Sequence, residues 1–241
     1  MTGLGILRRS RRLVDRVARV LAGAGGDWVE LLPRLYGWSD RATARAIERV
    51  SGAGQAIACG AGCSSCCHLA VPVSVPEAIA LAEALENLEP ERRDRITARV
   101  MAVGTRLVDQ PGVNRFTEAL PCGFLDGGIC SVYGVRPFAC RGHHGQTRSG
   151  CEAIWQTGRW QGRSIMAVDW VAHAIAAGLQ TTLQRRRLDG QLYELNGAVA
   201  AVLQPEPRDR WRRGDRLPLA PLTPDQIQGD RGAERSHNGP A

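Results

Sequence analysis

The chain has 241 residues, of which 44% are hydrophobic but only 5% aromatic, and its formal net charge is +7. All 31 basic residues are Arg, which excludes chemistry that needs a P-loop Lys or a Schiff-base Lys. The Arg residues are scattered and form no stripe, so we do not expect nucleic acid as a partner. A core rich in Ala, Val and Leu favours helices over sheet.

The first part of the chain predicts helices. Residues 5–22 place apolar side chains at helical spacing with Arg between them, which is typical of a basic amphipathic helix. Further helices are predicted over 28–35 and 40–51, the second beginning at Ser39. No apolar run reaches the length of a signal peptide or a membrane span. We therefore expect a cytoplasmic protein with no transmembrane segment.

Cysteines are confined to one region of the chain. They are Cys59, Cys63, Cys66, Cys67, Cys122, Cys130, Cys140 and Cys151. In a reducing compartment, such clusters hold metal or carry redox chemistry more often than they form disulfides. The CxxC spacing of Cys63 and Cys66 lets two sulfurs reach one tetrahedral ion, and Cys59 and Cys67 extend it to a run of four.

Eight thiolates suit several arrangements. Neighbouring side chains diverge in most backbone conformations, so Cys66 and Cys67 are hard to place on one ion. Two tetrahedral sites, two four-iron clusters, or one cluster with spare thiols remain open. A catalytic Cys with a nearby His base is a further alternative, but eight clustered thiols favour ligation.

Two helices are predicted between the cysteine clusters. Ser74 and Glu77 form a capping-box pattern with Pro76 in the first turn, which predicts that a helix begins there. A second helix is predicted after Pro90.

The second cluster lies in a segment rich in turn residues, for which we expect loops and one small hairpin. If this hairpin turns at Asp126, Gly127 and Gly128, position 130 opposes position 124. Cys122 and Cys130 then lie diagonally on one face.

Several polar residues beside the cysteines are candidates for the same site. We expect Arg136 and Arg141 to offset the negative charge of thiolates, and we interpret Arg148 as a solvated loop residue. The candidate nitrogen ligands are His68, His143 and His144. For each of them we favour a role beside the ligands or at the surface over direct ligation.

Apolar periodicity returns after Cys151. It predicts one long helix from about Ile165 to Leu183 and another from Leu192 to Val202. From Pro205 onward Pro, Gly, Arg and Asp dominate, which predicts a disordered tail.

The motifs GCSSCC, with Cys59 before it, and PCGFLDGGICSVYGVRPFACR at 121–141 resemble the YkgJ-type cysteine-cluster family, described as a zinc- or iron-chelating domain. The resemblance covers about 55–151 and implies metal chelation. The spacing from Cys59 to Cys63 is one residue longer than in the short family signature, and Cys151 lies outside the motif. Flagellin lysine N-methylase is similar here and implies an alternative, an iron-sulfur N-methyltransferase that uses S-adenosylmethionine. The chain has no GxGxxG motif to support that alternative.

We therefore predict a mainly α fold, with helices packed around a small, loop-rich, metal-held cysteine-cluster centre that contains a short β-hairpin. Its regions are N-terminal helices (1–52), the metal-binding domain (53–151), C-terminal helices packing on the same core (152–204) and a disordered tail (205–241). The predicted function is binding of zinc or iron, with a 4Fe-4S cluster as one form, through all eight cysteines. A redox protein and the methyltransferase are the alternatives, so catalysis is left open, as is a protein partner.

Overall fold

The computed structural model describes residues 12, 16, 19–20, 28–60, 62–109, 120–153, 164–223 and 226. Within them the protein is mainly helical with a short antiparallel hairpin, which confirms the predicted fold class. The helices are α1 (Leu32–Gly52), α2 (Val75–Glu86), α3 (Pro90–Asp109), α4 (Phe138–Gly142), α5 (Arg148–Glu152), α6 (Met166–Arg185), α7 (Leu195–Ala201) and α8 (Pro205–Arg212). The strands are β1 (Pro72–Val73), β2 (Leu125–Asp126), β3 (Ile129–Cys130) and β4 (Tyr193–Glu194), and 3-10 turns form at Ser65–His68 and Tyr133–Val135.

The N-terminal helices differ from the prediction. Most of the helix predicted over 5–22 lies outside the described residues, although Arg12, Arg16, Arg19 and Val20 are helical. The two helices predicted over 28–35 and 40–51 form one helix, α1. Ser39, expected as an N-cap, is fully buried inside it. One face of α1 packs against α4 and α6, and this burial outweighs the local break that the sequence suggests.

The helices that follow the first cysteines begin where the sequence predicts. Helix α2 has Ser74 as its N-cap in a capping box with Glu77, and Pro76 lies in its first turn. Helix α3 begins at Pro90. Helix α6 covers most of the long apolar-periodic segment, with Ile165 as its N-cap.

The hydrophobic core contains residues from both the beginning and the end of the described chain. Helix α7 packs against α2 and α3, and α6 packs against α1 and α4. Strand β1 pairs antiparallel with β4, with Val73 opposite Tyr193. The sequence did not predict this second sheet, because strands of two residues are too short to show alternation. Residues before and after the cysteine clusters therefore share one hydrophobic core.

The hairpin is present, but its register differs by one residue from the prediction. Leu125 pairs with Cys130, whereas the prediction set Phe124 opposite it. Gly127 and Gly128 have φ of 57° and 82°, so they alone form the tight two-residue turn. Cys122 precedes the ladder, and its position relative to Cys130 is not set by strand pairing.

Ordered structure continues past the point at which we expected a disordered tail. Pro205–Arg212 forms α8, in which Trp211 is only 1% exposed. The Arg208 guanidinium donates to the Val202 carbonyl at 2.7 Å and to Glu86 at 2.8 Å. These tertiary contacts explain order in a segment of low hydrophobicity. Beyond 223 only residue 226 is described.

No helix in the described parts of the chain combines the length and apolar character needed to span a membrane.

Replacing Gly123 by Ala should destabilise the fold. A Cβ atom at this position would lie 2.6 Å from the backbone N and Cα of Val100 in α3, so the cysteine-bearing loop must move away from the helix. We expect a loss of about 1–3 kcal/mol in the free energy of unfolding, measured by urea denaturation. Gly134→Ala is the matched control, because its Cβ meets nothing within 4 Å. Equal stability of the two variants would contradict this packing.

Candidate metal centre

The predicted ligands reach the centre from separate segments of the chain. Cys66 and Cys67 lie in the first 3-10 turn, Cys130 ends the hairpin, Cys140 lies in α4 and Cys151 in α5. All eight are free thiols; Cys151 is buried and the others are partly buried. The fold thus gathers residues that are far apart in sequence.

A buried carboxylate fixes the start of α4. Glu77 Oε2 accepts hydrogen bonds from the Ser74 backbone N–H at 2.9 Å and the Ser74 hydroxyl at 2.7 Å. Its Oε1 accepts from the Phe138 backbone N–H at 2.9 Å. Burial raises the pKa of Glu77, while these hydrogen bonds and the charge of Arg141 act in the opposite direction. One side chain therefore starts α2 and also holds the helix that carries Cys140.

Cys122 is held by a residue that the sequence analysis missed. Asn196, fully buried at the start of α7, accepts a hydrogen bond from the Gly123 N–H at 2.9 Å, and its Oδ1 lies 3.8 Å from the Cys122 sulfur. The Asn196 amide donates to Glu194 at 3.0 Å, which orients it. The Cys122 N–H also donates to the Cys67 carbonyl at 2.8 Å. Asn196 lies outside the cysteine motifs and belongs to no recognisable pattern, so the sequence did not indicate this role.

Four thiols interact electrostatically, and we name them the hairpin group: Cys67, Cys122, Cys130 and Cys140, the last of which lies in α4. Burial raises the pKa of Cys140 well above its ordinary value, and the charges of the other three raise it further. Burial likewise raises the pKa of Cys130, with a further contribution from the charge of Cys67. The four thiols are therefore close enough to oppose one another's ionisation.

Three other thiols interact electrostatically, and we name them the loop group: Cys59, Cys63 and Cys151, the last of which lies in α5. The Gly145 N–H donates to the Cys59 sulfur at 3.2 Å. Burial raises the pKa of Cys151 to about 11, with the charges of Cys59 and Cys63 as the next causes. Helix α5 packs against the 3-10 turn that carries Cys66.

Cys66 interacts electrostatically with thiols of both groups. A hydrogen bond with the Cys67 side chain is the main cause that raises its pKa, followed by burial. The charge of Cys67, that of Cys140 in the hairpin group and that of Cys59 in the loop group raise it further. The main interaction of Cys66 is therefore with Cys67 of the hairpin group.

Arg136 and Arg141 were both expected to offset the negative charge of thiolates, but their surroundings differ. Arg136 lowers the pKa of both Cys130 and Cys140, so it lies near the hairpin group as expected. Arg141 instead donates to Asp40 at 2.6 Å and stacks over the Tyr36 ring at 4.1 Å. It is only 2% exposed, and its remaining donors bind the carbonyls of Arg136 and Gly134. Arg141 therefore connects α4 to α1.

Arg148 is a solvated residue, as predicted. Its side chain is 77% exposed and pairs with Glu152 at 2.6 Å. That hydrogen bond is the main cause of its raised pKa, and the charge of Cys63 makes a small further contribution.

Two candidate histidines present one ring nitrogen to a backbone carbonyl. His68 Nδ1 lies 3.3 Å from the Ser64 carbonyl, and His144 Nδ1 lies 3.2 Å from that of Gly142. Since a carbonyl only accepts, Nδ1 carries the proton in this arrangement. In His144 the Nε2 lone pair is then a potential metal ligand. Burial lowers the pKa of His144, which favours its neutral form.

The donor set fits a thiophilic metal. Thiolate sulfur suits zinc and iron-sulfur clusters, whereas Mg²⁺ and Ca²⁺ prefer oxygen. In the described residues, no three His, Cys, Asp or Glu side chains are already arranged to hold an ion. The geometry of the thiols is therefore one of proximity, without preset coordination distances.

Comparison with known families agrees with the donor chemistry. Residues 58–157 match the model of the CxxCxxCC family, described as "Putative zinc- or iron-chelating domain". The match includes all eight cysteines and supports a metal cofactor, zinc or iron. It gives no support to the YkgJ-type name. Searches of curated proteins and of solved structures gave no match.

Glu77→Gln should weaken the link between α2 and α4. The amide has one acceptor oxygen where the carboxylate has two, so one buried N–H loses its partner. We expect about 1–3 kcal/mol lower stability to urea and faster amide exchange at whichever of Ser74 and Phe138 faces the new NH₂ group. The exposed Glu48 in α1 provides the control Glu48→Gln, which should have little effect. Unchanged exchange rates at both Ser74 and Phe138 would contradict the role of Glu77.

Proposed function

We propose that residues 58–157 bind a thiophilic metal, zinc or iron, through their cysteine thiolates, and that all eight cysteines belong to the ligand set. The observation that carries this proposal is the convergence of thiols from separate segments around α4 and α5. Scattered core cysteines would have no reason to meet in this way. The matching family description supports the same reading.

Electrostatics supports the proposal. Burial raises the free energy of ionising Cys140, and the charges of the other thiols in the hairpin group add to this cost. A divalent cation reverses the balance, because it stabilises every thiolate that it contacts. Arg136, next to this group, offsets part of the surplus negative charge that four thiolates leave around a divalent ion. Binding would require the side chains to rotate their sulfurs toward a common point.

The metal would act as a cross-link. Few strands or long helices support 120–153, whose regular elements span only two to five residues. Short elements of this kind gain much of their folding free energy from bound metal. We therefore propose a structural or chelating role in a reducing compartment such as the cytoplasm.

Catalysis gains no comparable support. A cavity of about 390 Å³ is lined by residues of α1 and α2, including Leu32, Tyr36 and Ala84, and no cysteine lines it. It offers no place for a methyl donor in contact with a thiolate-bound metal.

Protein purified without oxygen should contain zinc or iron. We expect either colourless protein with zinc, or brown protein with iron and acid-labile sulfide, measured by elemental analysis and visible absorption. Removing the metal with a chelator should make 55–151 sensitive to protease while α6 stays protected. Replacing all eight cysteines by Ser provides the metal-free control. A full chain that retains no zinc or iron, and binds neither on reconstitution, would refute the proposal.

A further inference from the structure

We propose that Asp126 is a positioning residue for the metal centre. Its contact with three arginines of α3 anchors the tip of the hairpin and thereby keeps Cys130 in place for the metal. This inference rests on the proposed function and assigns a role to a charged residue that is not itself a ligand.

The contact is a cluster of ion pairs beside the turn of the hairpin. Asp126 Oδ2 lies 3.3 Å from Arg92 Nε and 3.3 Å from Arg95 Nη2. Its Oδ1 lies 3.1 Å from Arg99 Nη2. The three arginines are spaced i, i+3 and i+7, so they share one face of α3. Guanidinium groups gathered in this way repel one another, and the Asp126 carboxylate between them offsets that repulsion.

Apolar packing does not anchor the tip of the hairpin. Ile129, which pairs with Asp126 across the ladder, is 61% exposed. A Cβ atom at Gly127 or Gly128 would meet nothing within 4 Å, so the turn is not packed against the core. A two-stranded hairpin is at best marginally stable by itself in water. The ion-pair cluster on α3 is therefore the contact to which we assign the anchoring of the tip.

Cys130 lies between this tip and the base of the hairpin. It pairs with Leu125, the neighbour of Asp126 in β2. The base is held by the Ser131 N–H, which donates to the Phe124 carbonyl at 2.8 Å, and by the packing of the Gly123 backbone on α3. Without the contact at the tip, Cys130 is held from the base alone. The hairpin should then open more often, and a metal bound to Cys130 should leave faster.

Asp126→Asn removes the charge of the side chain and keeps its size. In the full chain reconstituted with zinc, we expect transfer of the metal to an excess of chelator to become about three to ten times faster, because three exposed ion pairs are lost. Asp126→Glu should restore the slow transfer, since it keeps the carboxylate. Asp209→Asn is the matched control: Asp209 lies 3.2 Å from Arg212 Nη1 in α8, a helix without cysteines. This control should release zinc at the original rate.

Two further measurements separate positioning from a general loss of stability. Amide exchange at Ser131 should become faster in Asp126→Asn, while exchange at Ile175, buried in α6, should not change. Salt screens exposed ion pairs, so raising sodium perchlorate from about 20 mM to about 500 mM should speed zinc release from the unmutated chain. The same change should have a smaller effect on Asp126→Asn, which has already lost the cluster.

Unchanged zinc release from Asp126→Asn, or equal release from Asp126→Asn and Asp126→Glu, would overturn the inference while leaving metal binding intact. Equally fast release from Asp209→Asn, or faster exchange at Ile175, would assign the effect to a general loss of charge or stability and would also overturn it. An equal effect of salt on the unmutated chain and on Asp126→Asn would exclude the ion pairs as the anchor. A full chain that binds neither zinc nor iron would instead refute the proposed function, and the inference with it.

Discussion

The buried Glu77 carboxylate connects the regular part of this protein to its irregular part. It closes the capping box of α2 and accepts the first N–H of α4, a helix of only five residues. Such a helix is too short to form without tertiary support. Burial raises the pKa of Glu77, and three donors together with Arg141 offset part of that effect. The position of Cys140 therefore depends on a carboxyl group kept inside the core.

Cys122 is placed by a similar anchor. Asn196 on α7 holds the Gly123 N–H, and close packing of Gly123 on Val100 leaves no room for a side chain. The helical core thus presents thiols from loops that have little regular structure of their own. Burial and neighbouring thiolates raise the free energy of ionising a thiol, and a bound cation lowers it. Folding of the loops and metal binding are then one coupled process.

Local signals in the sequence predicted where α2 and α3 begin. Ser74, Glu77 and Pro90 mark helix starts because capping and proline effects act within a few residues. Confinement of the cysteines to one region likewise indicated a single metal-binding region. The hairpin register was wrong because the prediction counted Asp126 in the turn, whereas two glycines with positive φ suffice. Asn196, the β1–β4 pair and α8 depend on distant contacts, which no local pattern encodes.

X-ray absorption at the edge of the copurified metal tests the central claim most directly, because it counts the ligand atoms. The account predicts a first shell of about four sulfur atoms at about 2.3 Å, with no nitrogen or oxygen. A first shell dominated by nitrogen or oxygen would contradict ligation by the cysteine cluster.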